Sequence, residues 1–150
     1  MNNPYPDEWW NVDSVRYTSP IVLYRDIESV KTRTGEDADY MTYGDYPIEV
    51  VVDGAPRTIV VPSDFATDLA SVPQWFRWIV SRAGTHLEAS IVHDWLYVAW
   101  QEIDHKPRKI DREFADLVFL RAMEEARVGW LKRCIAYLAV RAFGSRIFFT

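Results

Sequence analysis

The chain has 150 residues, 49 % hydrophobic and 26 % charged, which suits one soluble domain with a real core. A formal net charge of −5 argues against a general nucleic-acid binder, so no nucleic-acid partner is expected. The single cysteine, Cys134, excludes an internal disulfide and any cysteine-cluster metal site, and its apolar helical setting reads as packing.

No run approaches the roughly 18–20 apolar residues that span a bilayer. Residues 1–11 are polar, with Pro and Trp, and lack the apolar segment of a signal peptide, so a cytosolic protein is expected. The high aromatic content of 15 % suits an interface with protein or lipid. The last third is locally basic, with Lys132, Arg133, Arg141 and Arg146.

In chain order, residues 1–20 carry Pro4, Pro6, Pro20 and the pair Trp9-Trp10, and read as an extended or short-helical aromatic arm. Residues 21–25 make a short strand and 26–39 a polar loop. Residues 46–62 hold the clearest β signal: the β-branched runs 48–52 and 58–61 flank the turn pair Asp53-Gly54, with Ala55 and Pro56 expected to lengthen the turn. The stretch D-F-A-T-D-L-A-S-V-P, residues 64–73, is either a tight loop held by side-chain to backbone bonds or a source of oxygen ligands for a hard cation. Ser71 and Pro73 look like the start of a short helix over 74–82, rich in Trp and Phe, and Gly84 ends it.

Three main helices follow, over about 85–100, 111–127 and 130–143. Thr85 caps the first, acids sit in the first turn of the second, and Gly144 caps the third. The expected architecture is therefore a single α+β domain, with a β portion over 21–62 that includes a hairpin and a helical portion over 63–150.

The first helix carries the chemistry. L-E-A-S-I-V-H-D-W-L-Y-V-A has buried-helix spacing at Leu87, Ile91, Trp95 and Val98, and sets His93, Asp94 and Tyr97 within it. His93 and Tyr97, four apart, share a face, while Asp94 is rotated by roughly 100°. On the second helix Asp116 falls among Phe114, Ala115, Leu117 and Phe119 rather than with the outward Glu113 and Glu124, so a partner should be near. A short connection over 101–109, with His105 read as surface, favours antiparallel helices that bring His93 and Asp116 together.

Those two fit a general-base pair, in which the histidine takes a proton from water and the carboxylate holds its tautomer. Asp94 is then left to bind a cation, with loop oxygens such as Asp68. The same residues fit equally a core histidine in a structural network. Zinc at His86 and His93 with Asp94 or His105 has no recognised spacing, and Ser71 as acyl nucleophile lacks the G-x-S-x-G setting.

A-S-I-V-H-D-W-L-Y followed by F-A-D-L-V-F resembles the two active-site helices of phospholipase A2, most closely the disulfide-free version in parvovirus capsid proteins. The resemblance implies His93 as general base, Asp94 as the calcium-binding carboxylate, and Tyr97 and Asp116 as the pair that orients the histidine. The glycine-rich calcium loop of phospholipases, which also supplies the oxyanion donor, has no counterpart, because residues 64–73 contain no glycine. A broader pattern, F-x-T-D-L-A-S-V-P, then H-D-W-L-Y, A-D-x-x-F and Y-L-A-V-R-A-F-G, resembles a bacteriophage and prophage family catalogued as domain of unknown function 1353. This implies a viral origin, a place in the bacterial host cytoplasm during infection, and possible incorporation in the virion.

Two functions follow as expectations. One is a hydrolase of lipid or another ester or amide, with calcium at Asp94 and Asp68 and membrane phospholipid as a partner. The other is a phage structural or tail/neck assembly protein. There the same residues form a buried polar network, and the aromatics of residues 5–10 with Trp75, Phe76 and Trp78 bind phage structural proteins.

Overall fold

The computed structural model describes residues 2–24, 40–67 and 87–150. Among them the order of elements is β1 (Val12–Tyr17), β2 (Leu23–Tyr24), β3 (Tyr40–Thr42), β4 (Tyr46–Val52), β5 (Ala55–Val61), β6 (Ala66–Thr67), α1 (Leu87–Glu102), α2 (Lys109–Glu125), α3 (Trp130–Phe143) and α4 (Ser145–Phe148). The fold is α+β, with an antiparallel β region and three main helices after it, as the sequence led us to expect.

The hairpin is β4 and β5. Tyr46, Ile48, Val50 and Val52 alternate inward along β4 and meet Ile59 and Val61 of β5 on the same buried face. Asp53 and Gly54 both take positive φ, 51° and 78°, the geometry that lets a two-residue turn follow the strand twist. Ala55 already pairs with Val52 and Pro56 with Val51, so these residues begin the strand and do not lengthen the turn. Pro56 is tolerated because β5 is an edge of the sheet β1-β4-β5.

The N-terminal residues are not only an arm. Val12–Tyr17 pairs antiparallel with β4, and its register shifts between Val12 and Ser14. This bulge brings Val12 and Val15, three apart, onto the same buried face. Ahead of it Tyr5 is buried and donates its hydroxyl to the Leu96 carbonyl, so it is no free aromatic for a partner, whereas Trp10 is exposed. A second small sheet, β2-β3-β6, joins three strands of two or three residues. Of the strand expected over 21–25, the described part is Leu23–Tyr24. The expected helix over 74–82 and the loop 26–39 lie outside the described residues.

Helix α2 is the hub. It packs on β1, where the Tyr17 hydroxyl donates to the Ala122 carbonyl at 2.9 Å and Arg121 Nε to the Val12 carbonyl at 2.8 Å. It also packs against α1 and α3. Helices α1 and α2 run antiparallel: His105 meets Asp111, Tyr97 meets Asp116 and His93 meets Phe119, so contacts climb one helix as they descend the other.

Candidate functional site

Helix α1 presents His93 and Tyr97 one turn apart to Asp116 on α2. His93 Nε2 lies 2.9 Å from Asp116 Oδ1, and the Tyr97 hydroxyl donates to the same oxygen at 2.6 Å. The His93 ring lies against those of Tyr97 and Phe119, with centroids 4.1 and 4.7 Å away. Only 7 % of His93 is exposed and none of Asp116.

A buried acid needs compensation, and part of it comes from a residue that sequence reasoning did not assign. Arg141 of α3 donates from Nη1 to Asp116 Oδ2 at 2.8 Å. Arg112, one turn before Asp116, brings Nε to 3.8 Å of the same oxygen. The Arg112 Nη2 donates to the carbonyl oxygens of Val140 (2.8 Å) and Arg141, so α2 holds the end of α3 in place.

Burial pushes the Asp116 carboxyl up, but the hydrogen bond and charge of His93, with the Tyr97 and Arg141 donors, outweigh it and hold the group below its ordinary 3.8. Asp116 is thus a carboxylate, which only accepts. Nε2 of His93 must carry a proton to meet it, so whenever the imidazole is neutral its lone pair lies on Nδ1. Burial and the adjacent Asp116 charge drive the Tyr97 hydroxyl far above its ordinary value, so it stays a donor.

Gly144 caps α3 as expected, but not for the left-handed backbone that usually calls for glycine there, since its φ is −74°. It is needed for close approach: a Cβ would overlap the Tyr97 hydroxyl and lie 2.5 Å from the Val140 carbonyl oxygen. Gly144→Ala is expected to lower stability by about 1–3 kcal/mol and to push Tyr97 off Asp116. In a Tyr97→Phe background, denaturant melts should show a smaller loss; an equal loss would place the strain elsewhere.

Of the residues singled out from sequence, His93, Tyr97 and Asp116 converge. Asp94 is half-buried on the adjoining face of α1. Asp68, Ser71, His86, Trp75, Phe76 and Trp78 lie outside the described residues. Asp64, at the start of the loop considered for oxygen ligands, accepts the Tyr24 hydroxyl at 2.6 Å. Among the described residues, no three His, Cys, Asp or Glu side chains gather as a metal site. His105, expected on the surface, is partly buried. Its Nε2 lies 2.8 Å from Asp111, whose carboxylate also takes the Arg108 backbone N–H at the start of α2. Asp111 and Arg108 form the capping box of α2, and the His105 ring stacks on Tyr5.

The family described as Protein of unknown function (DUF1353) matches residues 47–140, more than half of the chain. The chain belongs to the DUF1353 family. No curated protein and no solved structure matches it. In this DUF1353 protein the match runs from β4 into α3 and takes in His93, Tyr97, Arg112 and Asp116, while β1 and Arg141 fall outside it. No helix among the described residues is long and apolar enough to cross a membrane.

Proposed function

We propose that His93 and Asp116 form the general-base pair of a hydrolytic centre on the phospholipase A2 pattern, in a phage-encoded protein. The observation that carries this reading is the sharing of Asp116 Oδ1 by His93 Nε2 and the Tyr97 hydroxyl, with Oδ2 held by Arg141. One carboxylate, fixed at both oxygens, sets the orientation and tautomer of the imidazole and stabilises the imidazolium that forms. Nδ1, with no hydrogen-bond partner among the described residues, takes a proton from water as the water oxygen bonds to an ester or amide carbonyl carbon. The proton then passes to the departing alcohol or amine as the carbonyl carbon releases it.

Lipid ester is the first substrate class by resemblance. Turnover of phosphatidylglycerol, phosphatidylcholine and small model esters and amides, with calcium or with EDTA, tests the reading. Turnover above that of His93→Ala is expected, and a rise with calcium that Asp94→Asn abolishes would add a cation at Asp94. Wild type and His93→Ala alike across every substrate would overturn it.

The second reading is a virion or tail/neck assembly component in which these residues form a buried brace. The low exposure of His93 and the matching of both Asp116 oxygens favour it. It predicts the protein in purified particles, which immunoblotting of virions checks.

A further inference from the structure

Helix α3 is built inside out. Its buried side chains are two alanines, Ala136 and Ala139, joined by the half-buried Ile135 and Val140 and the inward reach of Arg141 to Asp116. Its large apolar groups face outward: Trp130 is 68 % exposed, Leu131 62 % and Leu138 63 %. Ile147 of α4 and Phe149 beyond it are also exposed. Leu131, Ile135, Leu138 and Ala142 recur at i, i+4, i+7 and i+11, a stripe in which Ile135 is half-buried against the core and the other three are exposed.

Charge singles out the same surface. Residues 126–150 contain five Lys or Arg and no acid, so all 22 acids of this net-acidic chain lie before them. Two of the five are already paired, Arg141 with the buried Asp116 and Arg133 with the partly exposed Glu124 at 3.8 Å. Arg127, Lys132 and Arg146 are exposed and form no ion pair among the described residues. Lys132, exposed and rotated by roughly 100° from Leu131 at the start of the helix, has a long stem that can carry its charge towards a headgroup layer.

We propose that the outer face of α3 and α4 docks on an anionic lipid surface. A segment with an exposed Leu stripe, an exposed Trp at its start and exposed cations that form no ion pair among the described residues has the two attractions that hold a protein in the interface: apolar burial and the pull of acidic headgroups. A second copy of the chain fits less well, because a shared stripe would bring two all-basic segments together. The inner face of the same helix holds Asp116 through Arg141, and Phe148 packs on Tyr97 at 5.2 Å, so the docking surface backs the His93 site. The inference stands on residues separate from His93 and holds whether or not that residue turns over a substrate.

Co-sedimentation of the full chain with vesicles tests it. Binding to phosphatidylglycerol vesicles is expected to exceed binding to phosphatidylcholine vesicles at least roughly tenfold. It should fall as ionic strength rises from about 0.1 M to about 1 M, where screening shortens to roughly 3 Å. Two double variants, Lys132→Glu with Arg146→Glu and Leu131→Ser with Leu138→Ser, should each weaken it at least roughly tenfold. All four positions are exposed, so wild-type melts are expected, while His93→Ala should bind vesicles unchanged. Binding that ignores headgroup charge, or that both variants retain, overturns the proposal. A wild-type dimer in analytical ultracentrifugation that Leu138→Glu splits, with no vesicle binding, also overturns it and assigns the stripe to a second copy.

Discussion

Asp116→Ala is expected to lower the unfolding free energy by about 3–5 kcal/mol, the usual loss when one partner of a buried ion pair is removed. The melting temperature should then fall by about 10 °C or more. The size follows from what the substitution strands. His93 Nε2, the Tyr97 hydroxyl and Arg141 Nη1 all lose their acceptor, and the guanidinium of Arg112 keeps its charge with no counter-ion beside it. Asp116→Asn retains shape and one acceptor oxygen, so its loss should be smaller. Urea melts of the three proteins check the order, and a loss under about 1 kcal/mol for Asp116→Ala would mean that water replaces the carboxylate.

Acid adds a signed test. The folded-state value of Asp116 lies below its ordinary 3.8, so the unfolded chain takes up the proton first as pH falls. The stabilisation is therefore fully present above that ordinary value and is lost as pH drops through the folded one. The stability gap between wild type and Asp116→Asn should persist to about pH 5 and close below 3.8.

His93→Ala should separate chemistry from structure. If His93 is the base, turnover falls by about 10²–10⁴-fold, while stability drops by only about 1–3 kcal/mol. The stability loss is bounded because Asp116 keeps Tyr97 and Arg141, and the space left lies between Tyr97 and Phe119. His93→Gln sharpens the comparison: an amide donor can still meet Asp116 but takes no proton from water. Stability restored by Gln with turnover still lost marks a base, whereas turnover retained by either variant removes His93 from the chemistry. A loss of stability near that of Asp116→Ala, with no turnover in any form, marks the brace.

Local pattern was enough for much of this. The β-branched runs around Asp53-Gly54 specify a hairpin because alternation buries one face and the turn pair tolerates positive φ at both positions. Spacing alone places His93 and Tyr97 on one face of a helix, since four residues come close to one turn. The position of Asp116 among Phe114, Ala115 and Phe119 already demanded a partner.

What the sequence left open were contacts between segments far apart in the chain. The strand Val12–Tyr17 hides its alternation behind a bulge, so its apolar residues read three apart and its pairing with β4 shows only in the sheet. Strands of two or three residues in the second sheet are too short to carry any period. In the sequence Arg141 is one of several cations of the basic last third, because which arginine reaches Asp116 depends on how α3 crosses α2 and on the fit of Gly144 against Tyr97. Residue order determined the elements and the faces of the helices. Helix packing decided that the buried carboxylate would be held from both sides, because a charge out of water is stable only where the whole fold brings donors to it.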